Sequence, residues 1–277
     1  MLISETKREL RRLDTRARKG LGQNFLVDKH ALDRIVSAAK LAPDDCVIEV
    51  GPGLGALTQE LAKEAGRVIA VELDRTMAAS LREKFADSGN VEIVEADILE
   101  CDPESLAPPE RDYKVVGALP YNIASAVLRL FLESNRKPTV IVAVVQKEVA
   151  QSIAAKPGDM SLLSVGVQLY GKPSIVKTIP PRSFYPQPRV DSAIVRIDVY
   201  SDPPVKVDDE AAFFNVVRGG FSTPRKQLRN SLSHGLRITP DEAGDIIDRA
   251  GIDHKRRAET LSVAEWAALY RACEGKR

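Results

Sequence analysis

Short apolar runs occupy positions 46–50, 67–71, 91–95, 113–118 and 139–145, and Ala- and Leu-rich stretches such as 56–65 and 75–86 lie between them. Runs of about five residues predict buried strands, and the longer periodic stretches predict helices. Strand and helix in alternation predict an α/β fold with a mostly parallel sheet covered on both faces. Further on the pattern changes. Strand-like runs at 174–179 and 192–200 flank the proline-dense segment 180–188 with no helix-length stretch between them, so the last strand is expected to return antiparallel. Ser201-Asp-Pro-Pro204 breaks the chain, and only helical spacing follows, at 208–217, 225–232, 240–250 and 263–273. Thr239 before Pro240, and Ser262 with Glu265, are helix starts. The expected organisation is a basic N-terminal arm (1–19), a sheet domain (20–200) and a small all-helical domain (205–277).

The 277 residues accommodate one large domain and one smaller one. With 44% hydrophobic and 29% charged residues, the composition excludes disordered, collagen-like and disulfide-stapled classes. The longest apolar run, Val140 to Val145, is far short of the roughly 18 residues of a membrane span, and the first residues are too charged for a signal peptide. A cytoplasmic protein without membrane attachment is expected. Cys46, Cys101 and Cys273 share no ligand spacing with His30, His234 and His254, so neither a metal site nor a disulfide framework is expected. The net charge is only +1, but its distribution is uneven. Lys7, Arg8, Arg11, Arg12, Arg16, Arg18 and Lys19 cluster near the start, and Arg218, Arg225, Lys226, Arg229 and Arg237 lie in an acid-free stretch ending at Pro240. Such blocks suit a polyanion, the alternative being a solvated helix face.

Glu49-Val-Gly51-Pro-Gly53-Leu-Gly55 follows the first strand and opens the first helix after it. Glycines there allow a tight turn whose N–H groups face a ligand. The spacing is G-x-G-x-G, and Glu49 would repel a pyrophosphate but not an ammonium or sulfonium group. S-adenosylmethionine fits better than a dinucleotide. Glu72 near the end of the second strand is placed to accept ribose hydroxyls, and Asp97, followed by Ile98 after the third, to accept from an adenine amine.

After the fourth strand comes Gly117-Ala118-Leu119-Pro120-Tyr121-Asn122-Ile123. This loop resembles the Asn/Asp-(Pro/Leu)-Pro-(Tyr/Phe) signature of methyltransferases acting on exocyclic amines. The whole chain, from Gly20-Leu-Gly-Gln-Asn-Phe-Leu26 through Phe184-Tyr-Pro-Gln-Pro-Arg-Val-Asp-Ser192 to Arg225-Lys-Gln-Leu-Arg-Asn-Ser-Leu232 and Arg257-Ala-Glu-Thr-Leu-Ser262, resembles the rRNA adenine N6,N6-dimethyltransferases of the KsgA type. The resemblance implies a Rossmann-like class I methyltransferase domain with a helical RNA-binding domain. It further implies dimethylation of two adjacent adenosines in a 3′-terminal hairpin of small-subunit (16S) rRNA, on a pre-ribosomal small subunit, by a monomer. The cofactor would be S-adenosylmethionine, the product S-adenosylhomocysteine, with no metal. By position, Asn24, Leu26, Gly51, Gly53, Glu72, Asp97, Ile98 and Ala118 would line the cofactor site. Tyr121 and Phe184 would sandwich the base, the Leu119 carbonyl and residue 118 would flank its amine, and Arg225, Lys226 and Arg229 would meet phosphates. One departure stands out: the family usually has Asn where this chain has Ala118, which cannot accept an amine hydrogen. Lowered activity, an Erm-type enzyme acting on large-subunit rRNA, and a non-catalytic RNA-binding assembly factor are the competing readings.

Overall fold

In chain order the computed structural model, which describes residues 3–274, begins with α1 (Ile3–Arg12), β1 (Phe25–Leu26), α2 (Lys29–Ala39), β2 (Cys46–Val50) and α3 (Ala56–Glu64). Next come β3 (Arg67–Glu72), α4 (Arg75–Lys84), β4 (Val91–Glu95), α5 (Pro103–Leu106), β5 (Tyr113–Ala118), α6 (Ala124–Leu132) and β6 (Val140–Gln146). Then follow α7 (Lys147–Ile153), α8 (Leu162–Tyr170), β7 (Gly171–Ile179), β8 (Phe184–Tyr185) and β9 (Ser192–Val199). The chain continues through α9 (Glu210–Phe221), α10 (Leu228–Leu236), α11 (Pro240–Arg249) and α12 (Val263–Glu274). Residues 1–2 of the expected basic arm and 275–277 of the expected helical domain lie outside the described residues, as do the side chains of Lys19 and Glu274.

Seven strands form one sheet in the order β4-β3-β2-β5-β6-β9-β7. Pairs among β2 to β6 are parallel, whereas β9 runs antiparallel to β6 from Val140↔Asp198 to Gln146↔Ser192. The expected α/β sheet and its antiparallel return are therefore both present. The central strands read as nearly continuous apolar runs because helices cover both faces. Val47, Ile48, Val68, Ile69, Val142 and Val145 are at most 1% exposed. Asp28 and Asp74 cap α2 and α4 through their side chains, so both helices start where the strands end.

The N-terminal segment departs from the expected arm. α1 is a docked helix whose Leu10 packs with Leu54 and Met77, flanked by Leu13, Phe25 and Tyr185. Arg12 bonds Ser80 at 3.1 Å and Glu83 at 3.3 Å, Lys7 lies 5.2 Å from the centre of the Tyr185 ring, and Arg18 lies 3.5 Å from Asp74. Part of the basic cluster is thus spent within the protein. With only Thr6 and Leu10 buried, α1 carries too little apolar signal to be read as a packed helix.

Two compact units result, residues to Ala150 with Pro173–Val199, and Gln151–Lys172 with the residues from Tyr200 onward. The expected boundary near 200 misses that 151–172 groups with the helices. Gly158 and Met160 donate to the Glu259 carbonyl, and the Tyr170 hydroxyl donates to Glu210, contacts that no local pattern announces. In this second unit Thr239 and Glu242 close one capping box, and Ser262 and Glu265 make the same reciprocal bonds.

α9 and α10 meet glycine to glycine. A Cβ on Gly235 would come within 2.4 Å of the Gly219 Cα and 2.5 Å of its carbonyl oxygen. Alanine is the better helix former by about 1 kcal/mol, but the contact is with backbone, which cannot rotate away. Gly235→Ala should therefore destabilise the helical unit by about 1 to 3 kcal/mol, read as a lowered thermal midpoint. An unchanged or raised midpoint would mean the helices separate at little cost.

Candidate active site

The carboxyl ends of β2, β3 and β5 open onto one cleft of about 290 Å³. Its floor is the glycine-rich turn. Gly53 and Gly55 have φ of 58° and 74°, a left-handed backbone that disfavours any side chain. A Cβ on Gly55 would also press within 2.7 Å of Leu81 and 2.8 Å of Phe85. From below, Lys84 Nζ donates to the carbonyls of Leu54 and Gly55 at 3.0 and 3.3 Å.

Glu72 closes the turn from the side. Its Oε2 accepts from the Gly53 N–H and its Oε1 from the Asp74 N–H, both at 2.9 Å. Burial raises its pKa, and the backbone donors oppose that rise. Each carboxylate oxygen keeps acceptor capacity for a ligand hydroxyl. Glu49 is more deeply set, 1% exposed, and its Oε2 has no hydrogen-bond partner among the described residues. Burial, reinforced by the nearby Glu72 charge, pushes its carboxyl up to about 8. An orphaned acid oxygen on the cleft wall suits a cationic ligand group, which is the fit that S-adenosylmethionine offers. Asp97 caps the short turn Ile98–Glu100 through a 2.9 Å bond from the Leu99 N–H.

The opposite wall is the 118–123 loop. Ala118 ends β5 beside Val144, and the Leu119 N–H donates to the Val144 carbonyl at 3.1 Å, leaving the Leu119 carbonyl for other use. Tyr121 is half-buried with its hydroxyl 2.6 Å from Ser192 Oγ, and burial raises its pKa. Overhead, residues 20–26 cover the cleft. Asn24 Nδ2 donates to the Gly22 carbonyl at 3.1 Å, Gln23 Nε2 reaches Asp74 at 3.3 Å, and Leu26 pairs with Phe184.

Asn24, Leu26, Gly51, Gly53, Glu72, Asp97, Ile98, Ala118, Leu119, Tyr121 and Phe184 all line this one cleft. Phe184 is only 2% exposed and sits in the main apolar cluster with Leu26, so it presents little free ring. In the second unit Arg225 and Lys226 are exposed. Arg229 is instead engaged, its Nε on the Pro240 carbonyl and its Nη2 on Asp241, both at 2.7 Å. Sequence reasoning missed Ser192, Gln23 and Lys84. Ser192 lies inside the Phe184-to-Ser192 segment already singled out, whereas nothing in the sequence pattern distinguishes Lys84.

The chain matches the family described as ribosomal RNA adenine dimethylase over residues 14–274. It is 49% identical over 97% of its length, and 92% of the relative's, to "Ribosomal RNA small subunit methyltransferase A" of Dehalococcoides mccartyi (strain CBDB1). To the protein of the same name from Geobacter metallireducens it is 45% identical over 93% of this chain and 95% of that one. The fold is similar to the crystal structure of the 23S rRNA methyltransferase ErmE, with a TM-score of 0.71 and 32% identity over 91% of this chain and 100% of that one. It also resembles the fold of a dimethyladenosine transferase from Plasmodium falciparum, with a TM-score of 0.78 and 24% identity over 91% of this chain and 98% of that one.

A raised acid pKa means that the folded state holds the proton more tightly than the unfolded chain. That stability is present in full below about 4.5 and is lost as pH rises through about 8. The ligand-free protein should therefore lose stability steadily from pH 5 to 8, and Glu49→Gln should flatten that slope in thermal denaturation. Parallel pH profiles for the two proteins would remove Glu49 as the source.

Proposed function

The chain belongs to the ribosomal RNA adenine dimethylase family, and from that premise we infer that it dimethylates N6 of two adjacent adenosines in small-subunit (16S) rRNA. It is an S-adenosylmethionine-dependent methyltransferase. We further propose that it acts as a monomer on a pre-ribosomal small subunit in the cytoplasm, with no metal, and that the adenosines lie in a 3′-terminal hairpin. The observation that carries this reading is that the glycine turn, Glu49, Glu72 and Asp97 share a single cleft with the Ala118–Tyr121 loop. Relatives named for the small subunit match at 39% to 49%, against 32% for the 23S rRNA methyltransferase ErmE, which favours the small subunit as target. No described helix is long and apolar enough to cross a membrane.

When bound, S-adenosylmethionine supplies an electrophilic sulfonium methyl and leaves as S-adenosylhomocysteine. The protein's part is positioning. Glu49 would face the cationic amino acid end, Glu72 the ribose, and Asp97 with Ile98 the adenine ring. Asn24, Leu26, Gly51 and Gly53 would close around them. Across the cleft, Tyr121 would stack on the extruded acceptor base, with Phe184 bounding the pocket behind it. The Leu119 carbonyl would accept one hydrogen of the acceptor amine, turning its nitrogen lone pair toward the methyl carbon. The acceptor nitrogen, once methylated, would give its proton to solvent.

Ala118 offers no second acceptor for the amine, so the rate should fall below that of an Asn-bearing site. Transfer of labelled methyl groups to unmethylated small subunits, followed by nucleoside analysis, should yield N6,N6-dimethyladenosine. Ala118→Asn should raise the single-turnover rate by up to about 100-fold with little change in cofactor affinity. Equal rates would make the side chain dispensable, and no transfer by either protein would favour an assembly factor that binds RNA without catalysis.

The exposed pair Arg225 and Lys226 would contact phosphates, while Arg229 braces α11. Arg225→Ala with Lys226→Ala should weaken subunit binding and lower the log–log salt slope by about one counterion for each residue. Arg229→Ala should mainly lower thermal stability. A double variant with the parent's salt slope would return this segment to solvent.

A further inference from the structure

Tyr121 stands in a turn between β5 and α6, with the exposed Asn122 beside it. A turn residue of this kind needs an outside anchor if its ring is to hold one position, and the structure supplies one at the far end of the ring. The phenol oxygen lies 2.6 Å from Ser192 Oγ. Ser192 is fully buried, at 0% exposure, and opens β9 in register with Gln146 of β6. The preceding residue is fastened too, because the Lys147 N–H donates to the Asp191 carbonyl at 3.0 Å and Lys147 Nζ lies 3.6 Å from Asp191 Oδ2. The serine hydroxyl is therefore a fixed point on the sheet. The tyrosine hydroxyl is anchored to it, and the ring is the surface proposed to meet the acceptor.

We infer that Ser192 is a positioning residue for methyl transfer, holding the Tyr121 ring where the acceptor adenine stacks; the inference rests on the function proposed above. Stacking on a ring held only by its own backbone would let the base drift, and displacements of about 1 Å are enough to slow a positioned reaction severely. A supporting hydrogen bond of this kind keeps the contact surface in place without touching substrate. The bond lies on the acceptor wall, away from Glu49, Glu72 and Asp97, so its loss should leave cofactor binding intact.

The test uses the full chain on unmethylated small subunits at saturating cofactor. Ser192→Ala and Tyr121→Phe remove the same bond from its two ends, and Tyr121→Phe keeps the ring. Each should lower the single-turnover rate by roughly 3- to 10-fold. Calorimetric cofactor affinity and the subunit concentration at half-saturation should stay at the parent's values. The double variant should be no slower than the slower single. If Ser192→Ala does not fold, Tyr121→Phe reads the same bond alone, and a parent rate for it overturns the inference. A parent rate for Ser192→Ala, a loss in Ser192→Ala that Tyr121→Phe does not share, or losses that multiply in the double variant would overturn it as well. An inactive parent would instead sink the proposed function.

Discussion

A single buried carboxylate holds the glycine-turn side of the cleft together. Glu72, at the end of β3, ties the Gly53 N–H to the Asp74 N–H. Asp74 in turn caps α4 and receives Gln23, with Arg18 close by. The glycine turn, a helix start and the N-terminal cover thus meet at two neighbouring acids. Two bonds to a charged acceptor contribute about 1.5 to 3 kcal/mol each, while burying the charge costs several kcal/mol. The upward direction of the Glu72 pKa says that burial wins in the ligand-free protein. Further donors from a ribose would shift that balance toward the ionised form.

Much of the fold was legible in the sequence because its central strands are buried on both faces and read as nearly continuous apolar runs. The convergence of three acids was legible for a related reason: a parallel sheet delivers the ends of successive strands to one edge, where Glu49, Glu72 and Asp97 meet. What escaped had little local signal. α1 buries two residues, β1 and β8 are two residues long, and the allegiance of α8 to the helical unit rests on bonds to distant residues. Charge was the least reliable guide. Arg12, Arg18 and Arg229 all look free in a sequence and are all engaged within the fold.

The 118–123 wall of the cleft also touches the segment that covers it. Gly22, in the segment that covers the cleft, lies so near the acceptor loop that a Cβ there would come within 2.9 Å of Asn122 Oδ1 and 3.0 Å of Pro120. Its φ of 64° further excludes a side chain. The two walls of the cleft are thus in direct contact, and a shift of the cover would be felt by the loop that carries Tyr121. Ala118 lines the same wall and packs, partly buried, against the main apolar cluster.

The pairing of β1 with β8 also governs the order in which the site is completed during synthesis. Leu26 pairs with Phe184 across the two strands, and Asp28 bonds Ser183, 155 residues further on. A nascent chain that has emerged only to Ala150 holds Glu49, Glu72, Asp97 and the glycine turn, yet β1 in its cover still lacks β8. Elongation at roughly 5 to 20 residues per second puts some seconds between the first half of the cleft and its closure. The β1–β8 edge of the cleft is therefore completed only when the segment around Phe184 has left the ribosome, late in translation.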